Sequence, residues 1–340
     1  MSYYRVFAVK PMRLLLIINA VVFMVWIFIL FTNFNNSEDK ISYIEEYEQK
    51  TFALAQSERR IIKLKQSLKN RYPNAIDYID AHVKRDLPTI YAITPTYARW
   101  TQKADLTRLA QTLLHVPNFR WIVVEDSDTK TPLVTRFLKF SGLQYTHLNA
   151  KTDTNFKLKS TDPNWLLPRG VSQRNEGLRW IRENLPANTG GVLYFLDDDN
   201  TYTLQIFEEM RSTKVASAWP VGLSGGLKFE GPGKCENGKV LEWYTAWKPE
   251  RPFPIDMAGF AVHLKLLFQH PEAQYSNSVP RGYLESHFLT GLKLQRQDME
   301  AKANECSEVL VWHTRTEKPK MKHEEALIKQ GKSSNSKMEV

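Results

Sequence analysis

The stretch VLYFLDDDN, residues 192–200, decides the fold class of this chain. An uninterrupted apolar run ends in three consecutive aspartates, Asp197, Asp198 and Asp199. An apolar run without alternating polar residues is typical of a strand that is buried on both faces of a parallel sheet. Three adjacent carboxylates repel one another unless a cation or hydrogen-bond donors compensate their charge. Because ligands of parallel sheets bind at the carboxyl ends of strands, the sequence predicts a ligand site at these aspartates.

Similar apolar runs lie upstream of this strand, with helical patterns between them. The predicted strands cover residues 90–94, 121–126, 144–148 and 192–199, and the predicted helices lie near 104–115, 133–140 and 172–184. This alternation predicts an α/β domain with a parallel sheet. Polar residues close two of the runs directly, at Thr94–Tyr97 and Glu125–Ser127, and we expect them to lie near the aspartates.

The aspartate cluster favours a divalent cation. Carboxylates suit Mn²⁺ or Mg²⁺, which keep several waters and take phosphate oxygens as further ligands, so the pattern predicts a metal and nucleotide diphosphate site. The alternative is a solvated acidic loop or a helix start, because Thr201 and Thr203 follow closely. Neither a P-loop nor a Rossmann glycine motif occurs. Cys235 and Cys306 are too few for a disulfide scaffold and lack the spacing of a zinc site.

The composition describes a chain that can bury a sizeable core. Its 340 residues are 42% hydrophobic and 24% charged, which excludes a disordered or collagen-like protein. The formal net charge of +9 arises from 46 Lys and Arg against 37 Asp and Glu. Because the basic residues are mixed with many acids, the charge favours an acidic ligand or a membrane surface over nucleic acid.

A membrane anchor is predicted at residues 14–31, LLLIINAVVFMVWIFILF, which contain no charge. This run is long enough to cross a bilayer. The alternative is a cleaved signal peptide, but the run is longer than the apolar region of such peptides usually is. Basic residues precede the span and acidic residues follow it, so residues 1–13 are expected to be a cytoplasmic tail. The remainder of the chain would then be translocated, as in a single-pass type II protein.

A helical stem is predicted at residues 32–87. Tyr47, Leu54, Ile61 and Leu68 recur every seven residues among charged side chains, as in one seam of a coiled coil, but the second seam is missing. A dimerising coiled coil and a plain amphipathic helix therefore both stay open. The main domain is predicted at residues 88–317, and a basic tail at 318–340.

Six stretches of the main domain resemble the inverting β-1,3-glucuronosyltransferases that use UDP-glucuronic acid. They are ITPTYAR (93–99), VVEDS (123–127), PRGVSQRN (168–175), LYFLDDDNTY (193–202), RPFPIDMAGFAV (251–262) and VLVWHTRTEKPK (309–320). The resemblance implies a GT-A-type nucleotide-diphospho-sugar transferase domain, Mn²⁺ dependence, a homodimer and a Golgi membrane address. It also implies a galactose-terminated acceptor glycan on a protein. The tail KPKMKHEEALIKQG (318–331) is similar to the branch of the family that completes the proteoglycan linkage region. The alternatives are transfer to N-acetyllactosamine ends and a relative that binds glycans without catalysis.

The resemblance also implies roles for individual residues. The donor-binding positions are Pro95, Thr96, Tyr97 and Asp126 at the uridine, Asp197 and Asp198 at the ribose, and Arg169, Arg174, His313 and Arg315 around the diphosphate and sugar. Asp199 matches the Mn²⁺ ligand. The acceptor side comprises Glu230, Trp247, Arg251 and Asp256, with Glu285 as the catalytic base.

Some of these positions have a second interpretation. His313 and Arg315 could lie in a surface turn, and Trp243 and Trp247 could either pack in the core or stack on a sugar. Glu285 lies in YLESHFL among apolar neighbours that would raise its pKa toward the working pH.

Overall fold

The computed structural model describes residues 87–158, 162, 166–335 and 338–339. They belong to one compact unit, Asp86–Val340. No helix in this part of the chain is long and apolar enough to cross a membrane. The predicted tail 1–13, the span 14–31 and all but the last residue of the stem 32–87 lie outside the described residues.

The first half of the domain is a four-stranded parallel sheet with helices between its strands. Its elements are β1 (Ile90–Thr96), α1 (Gln102–Leu113), β2 (Phe119–Glu125), α2 (Pro132–Phe140), β3 (Tyr145–Asn149), α3 (Val171–Asn184) and β4 (Val192–Phe195). The strand order is β3-β2-β1-β4, and every pair in it is parallel. The predicted α/β alternation is therefore confirmed for these seven elements.

The second half extends the same sheet with shorter strands. Its elements are β5 (Thr201–Tyr202), α4 (Leu204–Arg211), β6 (Ala216–Ala218), β7 (Val221–Gly222), β8 (Phe229–Glu236), β9 (Lys239–Tyr244), β10 (Phe260–His263), α5 (Lys265–Gln269), α6 (Leu284–Gly291), β11 (Met299–Ala301), β12 (Val311–Trp312) and α7 (Lys322–Lys329). From β4 the order continues β10-β6-β11-β9-β8-β7-β12-β5. Short 3₁₀ turns lie at Thr154–Phe156, Met257–Gly259 and Arg296–Asp298. The segment predicted as a basic tail thus contains a helix, α7.

Both faces of β1, β2 and β4 are largely buried, which explains their continuous apolar runs, whereas β3 is a partly exposed edge strand. On β1, Ile90 and Ala92 belong to one apolar cluster, whereas Tyr91 and Ile93 belong to the cluster on the opposite face. Helix α3 packs closely on this second face, because a side chain at Gly177 would lie only 2.8 Å from Ile93. Close packing of this kind fixes the strand ends where the predicted site residues lie.

A disulfide ties the second half together. Cys235, on β8, is bonded to Cys306, with 5.8 Å between their Cα atoms. These two cysteines are too few for a disulfide scaffold, but they form one bond across a separation of 71 residues. Cys306 ends a turn, Ala303–Cys306, whose four residues all have left-handed backbone angles between 51° and 62°. Such angles are costly for residues other than glycine, so the turn depends on the contacts that hold it.

Candidate active site

The carboxyl ends of β1 and β2 bring the predicted uridine-binding residues together. Thr96 is in register with Glu125, and the Asp126 amide donates a hydrogen bond to the Thr96 carbonyl at 2.8 Å. Tyr97 follows directly with its ring 47% exposed. The Asp126 carboxylate accepts hydrogen bonds from the Thr152 amide at 2.7 Å and from its hydroxyl at 3.0 Å. An exposed aromatic ring beside a carboxylate can contact a base and a ribose.

Asp198 connects β4 to β1. It is buried, accepts a hydrogen bond from Thr96 Oγ1 at 2.7 Å and lies 2.8 Å from the Arg99 guanidinium. Burial raises its pKa to about 6, against the opposing effects of Arg99 and Thr96. Arg99 also pairs with Asp105 on α1 at 2.8 Å. The Asp198 carboxylate is therefore held by Thr96 and Arg99. Its contact with a ribose stays a prediction.

Arg174 lies in the first turn of α3 and pairs with Asp197 at 2.5 Å. Its other terminal nitrogen donates to the Arg169 carbonyl at 2.9 Å. The close approach requires glycine at position 170, where a Cβ would lie 2.4 Å from Arg174 and the backbone angle φ is +72°. The exposed Arg169 and the buried Arg174 thus place two guanidinium groups beside the aspartates.

Asp199 is the member of the cluster whose carboxylate makes no hydrogen bond or ion pair with the described residues. Burial raises its pKa and the charge of Asp197 adds to this rise, while Arg99, His313 and Arg169 oppose it. The Thr314 hydroxyl holds its backbone carbonyl at 2.6 Å. A half-buried, partnerless carboxylate beside another acid fits a ligand of a divalent cation.

In the described part of the chain, no three His, Cys, Asp or Glu side chains form a group that could hold a metal ion, and this includes the aspartate cluster. Asp199 would therefore act as a single protein ligand, and a diphosphate and water would supply the other oxygens. This arrangement is common for Mg²⁺-type ions in nucleotide sites.

His313 lies where β12 ends and pairs with Asp256. Its Nδ1 is 3.2 Å from Asp256 Oδ2. Asp256 raises the pKa of His313, against the effect of burial. Burial would raise the pKa of Asp256, but His313 and the hydrogen bonds to this carboxylate lower it overall. Each partner therefore favours the charged form of the other, and Arg315 adds an exposed cation two residues further on.

A buried polar network connects Asp256 to Glu230. The Ser224 hydroxyl lies 3.1 Å from Asp256 Oδ2 and 3.2 Å from Glu230 Oε2. Glu230 pairs with Arg251 at 2.5 Å, and Arg251 also donates to the Trp247 carbonyl at 3.0 Å. Glu230 and Arg251 are both almost fully buried. The structure thus gives these two predicted acceptor residues a mutual ion pair, which positions the Trp247 loop.

The two tryptophans have different surroundings. Trp243 packs against the apolar core, which favours its structural interpretation. Trp247 is partly exposed, and the Arg281 guanidinium lies 4.5 Å from its ring centre. Trp247 therefore presents an aromatic surface next to the Glu230–Arg251 pair, as a sugar platform would.

Glu285 lies in the first turn of α6. Burial raises its pKa to about 7, and the negative charge of Asp256 adds to this rise, while Arg251 and Arg174 oppose it. Its carboxylate makes no hydrogen bond with another described residue. The raised pKa agrees with the prediction from its apolar neighbours. A carboxylate with a pKa near neutral pH can accept a proton from a hydroxyl.

The described geometry therefore places the metal-ligand candidate Asp199 and several cations near the carboxyl ends of strands, with the base candidate Glu285 on α6. Such a site defines an enzyme that transfers a group from a nucleotide-linked donor. Residues 109–317 match the family model described as glycosyltransferase family 43, and the chain belongs to this family. This membership confirms the enzyme class that the resemblance predicted.

Curated relatives are similar over most of the chain. Galactosylgalactosylxylosylprotein 3-beta-glucuronosyltransferase 3 of Homo sapiens is 53% identical over 264 residues, which cover 75% of this chain and 78% of that protein. The sqv-8 enzyme of the same name from Caenorhabditis elegans is 50% identical over 271 residues, 79% of this chain and 76% of that protein. Among solved structures, S. aureus TarS 1-349 aligns with a TM-score of 0.42 at 13% identity, over 66% of this chain and 60% of that chain.

The sequence analysis missed two residues that organise the site. Arg99 pairs with Asp198. It lies in the motif ITPTYAR, but no role was predicted for it. Ser224 precedes two glycines and belongs to no recognisable motif. Its hydroxyl nevertheless bridges the carboxylates of Asp256 and Glu230. A buried serine leaves no distinctive pattern in a single sequence.

Proposed function

We propose that the protein transfers glucuronate from UDP-glucuronate to the 3-hydroxyl of a terminal galactose, with inversion to a β1-3 linkage. The observation that carries the proposal is Glu285, whose carboxylate has a pKa of about 7 and makes no hydrogen bond with another described residue, in a chain of glycosyltransferase family 43. The similar relatives support the substrates, because they are named for glucuronate transfer to galactosylgalactosylxylosyl protein. The acceptor would then be the galactose end of a proteoglycan linkage region.

The chemistry needs a single displacement. Glu285 accepts the proton of the acceptor hydroxyl, the freed oxygen forms a bond to the anomeric carbon, and the bond from that carbon to the diphosphate oxygen breaks. The electron pair leaves with UDP, and no covalent enzyme intermediate is required. Mn²⁺ held by Asp199 would supply Lewis-acid stabilisation of the departing diphosphate.

The donor would lie in a GT-A arrangement at the strand ends of the first half. Tyr97 and Asp126 would contact the uridine, and the guanidinium groups of Arg169 and Arg174 suit the diphosphate and the glucuronate carboxylate. Asp256 raises the pKa of His313, which favours its positive charge, and the imidazolium would pair with the same anions. Trp247 would stack on the apolar face of the acceptor galactose.

The cellular setting is also a proposal. The uncharged run 14–31 would anchor the chain as a single-pass type II protein with the catalytic domain in the Golgi lumen. The Cys235–Cys306 disulfide supports this compartment, because disulfides persist in the secretory pathway and are rare in the cytosol. The homodimer rests on the resemblance alone.

Release of UDP tests the proposed function. The detergent-solubilised full chain is mixed with UDP-glucuronate and Mn²⁺, together with Galβ1-3Gal, Galβ1-4GlcNAc or no acceptor. We expect acceptor-dependent UDP release with Galβ1-3Gal and its loss in excess EDTA. Greater release with Galβ1-4GlcNAc would indicate an enzyme for N-acetyllactosamine ends, and glycan binding without release would indicate a non-catalytic relative.

A further inference from the structure

Ser286 follows Glu285 on α6 and is buried. Its hydroxyl donates a hydrogen bond to the Phe253 carbonyl at 3.0 Å and accepts one from the Phe253 amide, also at 3.0 Å. A side chain that pairs with both backbone groups of one residue fixes the distance and the orientation between the two segments. The first turn of α6 is thus tied to the segment around Phe253.

The segment on the other side of this contact is short of backbone donors. Phe253 lies between Pro252 and Pro254, and neither proline has a backbone N–H. The Phe253 amide is therefore the only backbone donor of these three residues, and Ser286 binds it. Losing this contact would leave a buried donor without a partner, which is unfavourable.

This segment carries two residues that act on Glu285 electrostatically. Arg251 and Asp256 flank the proline pair, and the charge of Asp256 raises the pKa of Glu285 while that of Arg251 lowers it. Tyr283, which precedes α6, makes no side-chain cap to the helix. The two hydrogen bonds of Ser286 therefore help to set how the Glu285 carboxylate lies relative to Asp256 and Arg251.

We propose that Ser286 is a positioning residue that holds the Glu285 carboxylate in its catalytic orientation by locking α6 onto the Arg251–Asp256 segment. This inference rests on the proposed function, in which Glu285 is the base. Ser286 need not touch either substrate, because its effect passes through the placement of its neighbour. A misplacement of about 1 Å at a reacting group can reduce the rate by about 100-fold.

The test is steady-state kinetics of Ser286→Ala with a matched control. Ser217 is an equally buried serine on β6, and its hydroxyl lies 2.7 Å from Thr213 Oγ1, so Ser217→Ala removes a comparable hydrogen bond from the core. We expect both variants to lower Tm. Only Ser286→Ala should lower kcat, by about 10- to 100-fold, with UDP affinity unchanged.

A double-mutant cycle separates positioning from general destabilisation. If Ser286 acts through the base, then Ser286→Ala should cost no further activity in a Glu285→Gln background. Losses that multiply in the double variant would overturn the inference. Ser286→Cys retains similar volume with a weaker donor, so it should fold even where the alanine variant does not, and its kcat should be intermediate.

The remaining outcomes distinguish the inference from the proposed function. If the unaltered protein and Ser217→Ala both transfer glucuronate and Ser286→Ala and Ser286→Cys match them in kcat, only the inference fails. If the unaltered protein itself releases no UDP with any acceptor, the proposed function fails and the inference fails with it.

Discussion

Carboxylates within one site carry different charges here because their neighbours differ. Asp256 accepts hydrogen bonds and pairs with His313, so its pKa is lowered despite burial. Glu285 has no such partner, and its pKa rises to about 7. For Asp199, burial and the charge of Asp197 raise the pKa, and Arg99, His313 and Arg169 oppose that rise. Environments that push pKa values apart assign the roles of base, ion-pair partner and metal ligand.

Replacing Glu285 with Gln should remove the base and leave the donor site intact. We expect kcat to fall about 100-fold or more, which corresponds to roughly 3 kcal/mol of barrier. Because the base must be deprotonated, activity of the native protein should rise as pH increases through about 7, and the Gln variant should lose this limb. Kinetics from pH 5 to 9 and separate UDP binding measure both effects. A Glu285→Gln protein within about threefold of native kcat, beside an inactive Asp256→Asn, would move the base to Asp256.

Replacing Asp199 with Asn should weaken metal-dependent donor binding. The amide retains the size of the side chain but loses the charge that attracts a divalent cation. Calorimetric titration with UDP in the presence and absence of Mn²⁺ should show a Mn²⁺-dependent gain in affinity for the native protein and little gain for the variant. An unchanged Tm would confirm that the fold persists. Full activity of the native protein in excess EDTA would contradict the metal site.

Strands and helices with a clear pattern of apolar residues were predictable from the sequence. Short strands that form by pairing with residues far away in the sequence were not. The strands β1, β2 and β4 were predictable because both their faces are largely buried, so their sequences are nearly continuously apolar. The two-residue strands β5, β7 and β12 have no such pattern, because they form only where Tyr202 and Val221 meet Val311 from across the chain. The residues of the donor side were therefore easier to place than the Ser224 network. The acceptor residues came only from the family resemblance.

Removal of the disulfide should destabilise the element that it holds. The Cys235–Cys306 bond closes a long loop, and its loss through Cys235→Ser and Cys306→Ser should lower the free energy of unfolding by up to about 4 kcal/mol. The left-handed turn Ala303–Cys306 keeps other restraints, among them the hydrogen bond from the Gly238 amide to Glu305 at 2.9 Å and that from the Glu308 amide to the Ala303 carbonyl at 3.2 Å. Thermal unfolding with and without reductant measures the change. A reduced native protein with an unchanged Tm would show that the bond contributes nothing to stability.

On the scale of the whole molecule, the charges that flank the predicted membrane anchor predict one orientation. Arg5, Lys10 and Arg13 precede the uncharged run 14–31, so the amino end should face the cytoplasm. Protease added to sealed microsomes that contain the full chain should leave the domain after Pro88 intact, and detergent should make it sensitive. Digestion without detergent would reverse the topology and remove the luminal assignment.

The pairing of β5 with β12 has a consequence for synthesis on the ribosome. Strands β1 to β4 are complete once Phe195 has been translated, but Thr201 and Tyr202 must wait for Val311 and Trp312. A transcript with a premature stop between the codons of Tyr202 and Val311 would yield a product that contains the three aspartates but lacks β12. In this product the edges of β5 and β7 that pair with β12 would be free. Unpaired strand edges recruit other chains, so such truncated products should be retained by chaperones and degraded rather than exported.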